Sequence, residues 1–294
     1  MRRILLGLMC GGLCWSGRAT VAADVHPVEF WRDIVRHEYA VPAGATAPAL
    51  ARELAEFVGH PDPVLRDEFG YTITAEWVRR GTLAPEDLRL LVPIWRAHLR
   101  AAGPDRVLGR AFGALNLALA AAADVRHPLL EEPEYRGLLD EALQLLTNEE
   151  DLRGWDPAVG WVHVTAHVAD LLKALVRSPR LQPADQSRVL AALARRLETA
   201  PEVFVHGEGD RLAAVAVAVA MRDDFDRVEF LAVMTRLAGL PEGFSGIAPV
   251  PVAYAVRRNA VAFLEAVYFA LGVQGLKHPP AKATAEALLA AITG

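Results

Sequence analysis

The chain has 294 residues, 53% hydrophobic and 23% charged, with 31 Lys plus Arg against 36 Asp plus Glu. That length supports one large domain or two small ones with ample core, and the ordinary composition excludes collagen-like, disulfide-scaffold and disordered chains. A net charge of -5 leaves no basic footprint, so nucleic acid is not an expected partner. Lysine occurs only at 173, 277 and 282, so nearly all positive charge is arginine.

The first segment reads as a secretory signal. Arg2 and Arg3 precede an apolar stretch over residues 4–15, and small residues then lead to Val21-Ala22-Ala23. Cleavage is expected after Ala23, giving an exported protein, periplasmic or secreted. The apolar stretch is 12 residues long, short of the roughly 20 that span a bilayer, and no transmembrane segment is expected in the mature chain. Both cysteines, Cys10 and Cys14, lie in the removed piece, so the mature chain would have no thiol. Neither cysteine has the residues a lipoprotein signal places before it, and the Arg2-Arg3 start resembles a twin-arginine signal only loosely. Losing Arg2, Arg3 and Arg18 and no acid takes the charge from -5 to -8.

After the signal, residues 24–294 read as a single all-helical domain. Apolar residues recur at three and four, predicting helices over 27–39, 47–58, 62–80, 85–102, 105–123, 134–147, 157–177, 184–198, 208–221, 225–238, 251–271 and 280–292. Asp156-Pro157 predicts the start of the seventh, with Asp as N-cap and Pro at the first helical position. Gly70-Tyr71-Thr72-Ile73-Thr74 is the best strand candidate, and helical patterns flank it. Residues 239–252 form the one long irregular stretch, either a lid or a plain connector. A dozen short helices on short loops predict antiparallel pairs stacked as an α/α superhelix, HEAT-like in period but without a repeated consensus, or closed into a ring.

Two adjoining segments carry a family resemblance. Glu149-Glu150-Asp151-Leu152-Arg153-Gly154-Trp155 is an acidic-Arg-Gly run. Gly160-Trp161-Val162-His163-Val164-Thr165-Ala166-His167-Val168-Ala169-Asp170 follows the pattern Gly-Trp-x-His-x-x-Ala-His-x-Ala-Asp. With Arg66-Asp67-Glu68, Arg110-Ala111-Phe112, Arg211-Leu212-Ala213 and the stretch 259–271, they make the chain resemble the bacterial family catalogued as domain of unknown function 2785. The resemblance implies an all-helical fold and no particular activity.

On a helix over 157–177, His163, His167, Asp170, Ala174 and Arg177 fall within about 80° of one another at ~100° per residue. Apolar side chains cover most of the rest, so this polar stripe is expected to face a semi-enclosed groove, with open solvent beside an inner helix as the alternative. Histidines at i and i+4 can share a divalent metal such as zinc. Here Val164 stands where a zinc protease has its general-base Glu, and Asp170 lies about 10 Å from His163 along the axis. Asp170 is therefore expected to hydrogen-bond His167, and Glu149, Glu150, Asp151, Asp67 or Glu68 would complete a metal site. Without a metal, the same histidines, carboxylates, Arg153, Arg66 and Arg110 would line a polar pocket. The arginines have a second reading as ion-pair struts, and Trp155 and Trp161 as packing anchors.

Two functions, beside a purely structural role, remain open from the residues. One is a module that binds a ligand, peptide or protein in a groove centred on His163 and His167. The other is a metal-dependent or His/Asp acid-base hydrolase using the same cluster. No phosphate-binding loop, dinucleotide fingerprint or nucleophile elbow is present. The remaining histidines, His206 among them, show no ligand spacing and read as scattered surface residues.

Overall fold

A computed structural model describes residues 26–245 and 248–293. The expected signal segment, its cleavage point, Cys10 and Cys14 lie outside the described residues. The fold is all-α: helices account for nearly all the regular structure among the described residues, with two hairpins of two-residue strands.

The opening helices are α1 (Val28–Arg36) and α2 (Ala47–Glu56). A π-helix over Val64–Ile73 then runs straight into α3 (Thr74–Arg80). The strand candidate around Tyr71 is thus helical, but in the wide π form. Thr72 Oγ1 donates back to the Asp67 carbonyl at 2.9 Å, and a Cβ on Gly70 would press within 3.3 Å of the α2 backbone at Leu54.

From there the chain builds two rows. One comprises α5 (Val107–Asp124), α7 (Val164–Val176), α9 (Glu208–Ala220) and α11 (Pro251–Gly275), each packed on the next. The other comprises α6 (Glu132–Asn148), α8 (Pro183–Thr199), α10 (Arg227–Ala238) and α12 (Pro279–Thr293), again each on the next, while α4 (Pro85–Leu99) backs α5. A continuous apolar core runs between the rows from Trp31 to Leu288. Buried alanines such as Ala111, Ala114, Ala213 and Ala216 let first-row helices pack closely. The stretch Pro104–Asp124 is long and apolar enough to cross a membrane, which the sequence reading did not expect of any mature segment. Its hydrophobicity serves this core, in which most of it is buried.

Arginines tie earlier helix ends to later segments by a repeated device. The last carbonyls of a helix lack intrahelical partners, and here the arginine of a later helix collects them. Arg196 on α8 donates to the Leu146 and Glu149 carbonyls at the end of α6, at 2.6 and 2.8 Å. Arg222, just past α9, reaches the carbonyls of Val176 and Ser178 at the end of α7, at 2.7 and 2.9 Å. Arg257 on α11 takes the Ala238 carbonyl that ends α10, at 2.5 Å. One planar guanidinium satisfies several acceptors at once, which lysine does less well. The cation also complements the negative helix end.

Candidate functional site

The seventh helix starts later than its sequence pattern. Trp155–Asp156 (β1) and Gly160–Trp161 (β2) form a tight hairpin, and α7 begins only at Val164. Asp156 caps the hairpin turn, its Oδ1 accepting from the backbone of Ala158 at 2.8 Å and Val159 at 3.3 Å. Gly160 sits at φ +74° against Pro63 and Arg66, a conformation that favours glycine. Val162 N–H donates to the Gly154 carbonyl at 2.9 Å and His163 N–H to that of Arg153 at 3.0 Å.

His163 is therefore the N-cap of α7 and not part of its face. It holds φ +52°, a left-handed conformation uncommon outside glycine. Its ring stacks under Trp161, with centroids 4.8 Å apart and planes at 21°. Its Nε2 lies 3.0 Å from the His206 carbonyl. A carbonyl only accepts, so Nε2 carries a proton there. The same nitrogen lies 3.4 Å from Glu208 Oε1. Burial pushes the Glu208 carboxyl up, but bonds from His163 and from the Glu208 and His206 backbone outweigh it and hold the group below its usual range. Gly154 closes the cluster: a Cβ there would overlap His206 Nδ1 and meet Glu208 Oε1 at 2.6 Å.

His167 lies one turn into α7, 6% exposed. Its ring meets Phe112 edge-on at 4.8 Å, and the Arg66 guanidinium covers the Phe112 ring at 4.7 Å. Burial, with the neighbouring His163, Arg211 and Arg66, pushes its pKa well below 6.5. The ring is neutral at pH 7, and its Nδ1 is buried without a hydrogen-bond partner. Arg66 is wholly buried. It donates to the carbonyls of His60 at 2.9 Å, Val159 at 2.8 Å and Trp161 at 3.2 Å, and its Nε lies 2.7 Å from Asp67. It ties the π-helix to the hairpin.

The other expected site residues go elsewhere. Asp170 bonds Lys173 at 3.0 Å and Arg211, not His167. Arg110 pairs with Glu149 at 2.6 Å, and with Glu150 and Asp151 these residues line a separate depression beside Gly103 and Pro104. Arg153 turns its side chain outward, onto Asp151 at 2.6 Å and Asp156 at 2.5 Å. Only its carbonyl reaches His163. Expected as one pocket, the acidic run and the histidines are thus two places. The two imidazoles do not share a helix face; their planes lie at 63° with centroids 5.5 Å apart. Among the described residues, no group of three or more His, Cys, Asp or Glu is arranged to hold a metal ion. Neither Asp67 nor Glu68 supplies a third ligand.

The exposed part of the stripe lies further along α7. Asp170, Lys173, Ala174 and Arg177 form one wall of a 460 Å³ slot. Tyr71 and the α5 residues Leu115, Ala118, Leu119 and Ala122 also line it, with Val125 and Arg126 just beyond. Arg177 also borders a second hollow against α9 and α11.

Sequence reasoning missed His206 and Glu208. Both lie more than forty residues from His163 and have no ligand spacing. The available signal was an acid at the first position of α9 between two glycines, where a helix N-terminus favours negative charge. Of the residues that carried the family resemblance, Arg66, Phe112, Trp161, His163 and His167 make one connected network, Gly154 closes on its His206–Glu208 side, and Asp170 pairs with Arg211 apart from it.

No curated protein matches the chain, and no solved structure does. A family model described as "Protein of unknown function (DUF2785)" matches residues 96–269, more than half of the chain, and the protein belongs to that family.

Proposed function

We propose that the protein is an exported binding module that holds a small ligand in the slot between α5 and α7, with the histidine cluster as a structural clamp at the start of α7. One observation carries this reading. α7 is sunk in the core over most of its surface, and the strip it leaves open, Asp170 to Arg177, borders a cavity of 460 Å³. That size falls among typical small-molecule sites. Stacked rows of helices place such slots along a groove, which supports the superhelical arrangement over a closed ring. The signal-like residues 1–23 support export.

A hydrolase built on His163 and His167 is the weaker reading. An acid-base histidine must reach substrate, whereas both rings are buried and His163 Nε2 already serves the His206 carbonyl and Glu208.

The test is Ala174→Trp, which fills the slot from its α7 wall, in a variant whose circular dichroism matches that of wild type. Mass spectrometry of small molecules released from the purified mature protein should find a species in wild type that the variant lacks. Equal retention by both proteins, or none by either, would overturn the reading.

A further inference from the structure

Building on the slot reading, we infer that the ligand is an amphipathic anion, an apolar body ending in a carboxylate or phosphate. The two sides of the slot differ in kind. From α5 come Leu115, Ala118, Leu119 and Ala122, an apolar surface. Facing it, α7 supplies Lys173, with Arg177 just past its end, and Arg126 also lines the slot.

The one acid in the lining, Asp170, is already held by Lys173 and Arg211. Arg126 and Arg177 are exposed, and neither makes an ion pair among the described residues. Both follow helix C-termini, α5 ending at Asp124 and α7 at Val176, and part of their charge offsets those helix dipoles. Two helix ends together amount to about one negative charge, so the lining with three cations and one acid stays net positive. It does so on a chain whose overall charge is -5. Tyr71 adds a phenol whose pKa is pushed up by burial and by Asp170, which keeps it protonated as a neutral donor. A cation would meet Arg126 and Arg177 unpaired, and a neutral apolar ligand would leave both unused. An anionic head beside the arginines, with its tail along α5, satisfies both walls.

The experiment is calorimetric titration of the mature protein with three probes of one tail length: octanoate, octan-1-ol and octylamine. Octanoate should bind at least tenfold more tightly than octan-1-ol, with no detectable octylamine binding. The double variant Arg126→Ala/Arg177→Ala should erase that preference, bringing octanoate affinity down to that of octan-1-ol; both arginines are exposed. Octyl phosphate binding more tightly than octanoate would also support the inference and identify the head group. Equal binding of octanoate and octan-1-ol to wild type would overturn the anion inference and leave the slot reading standing. Failure of all four probes to bind wild type would overturn the inference. The mass-spectrometric comparison with Ala174→Trp then decides the slot reading by itself.

Discussion

The two ends of α7 have the same helical pattern and opposite fates. At its start, His163 and His167 are sealed beneath Trp161, Phe112 and Arg66. At its end, Lys173 and Arg177 border an open slot. Polarity alone therefore does not say which residues meet solvent. What decides is whether another segment brings partners, and the hairpin at 155–161 does so only for the first turn.

The largest expected effect lies at the sealed end. Arg66→Leu strands the carbonyls of His60, Val159 and Trp161 around a buried site and unpairs the partly exposed Asp67 carboxylate, and should cost about 3–5 kcal/mol in urea unfolding. A loss under ~1 kcal/mol would mean that this end is not clamped. Gly154→Ala comes next. Its Cβ would collide with His206 and Glu208, and overpacking of that kind costs about 1–3 kcal/mol. Thermal unfolding beside a Gly209→Ala control, where the added Cβ meets nothing within 4 Å, isolates the clash from the change of residue type.

The pH dependence sharpens the contrast further. His167 has its folded pKa well below 6.5, so below pH 6.5 the unfolded chain takes a proton that the folded one refuses. Its stabilisation is full above that pH and is lost as pH falls, by up to about 1.4 kcal/mol per pH unit. His167→Gln should flatten the stability curve between pH 6.5 and 5.5, whatever its effect at pH 7; an unchanged slope would show that the ring is accessible to protons when folded. The smallest effect belongs to the open end. Arg177→Ala should change stability by no more than about 0.5 kcal/mol, and a larger loss would mark the arginine as structural.

Helical periodicity made the all-α class legible, along with most helix positions, because core burial and periodicity coincide over long segments. It failed at Asp156-Pro157. An Asp side chain that accepts from backbone N–H groups two and three residues on serves an N-cap and a turn equally. Gly160 at φ +74° then turned the chain into a hairpin. That shift of a few residues moved His163 from the helix face to its cap and removed the basis for a shared metal. The stripe's second half survived because Asp170, Lys173 and Ala174 lie inside the helix and Arg177 caps its end. Glu208 and His206 were illegible for a different reason: they join His163 through the packing of α9 on α7, which no local pattern encodes.

The arginines that gather spent helix ends bear on how the chain acquires its shape. Each joins positions no more than 50 apart, as in Arg196 to Leu146, Arg222 to Val176 and Arg257 to Ala238, and the rows pack mainly neighbour on neighbour. Contacts of such short loop span cost little closure entropy and favour rapid folding. Assembly can then proceed by zippering: a finished pair of helices offers the next arriving arginine a ready set of carbonyl acceptors. A chain emerging end-first from a ribosome or a translocation channel would settle helix by helix, without waiting for its last residues.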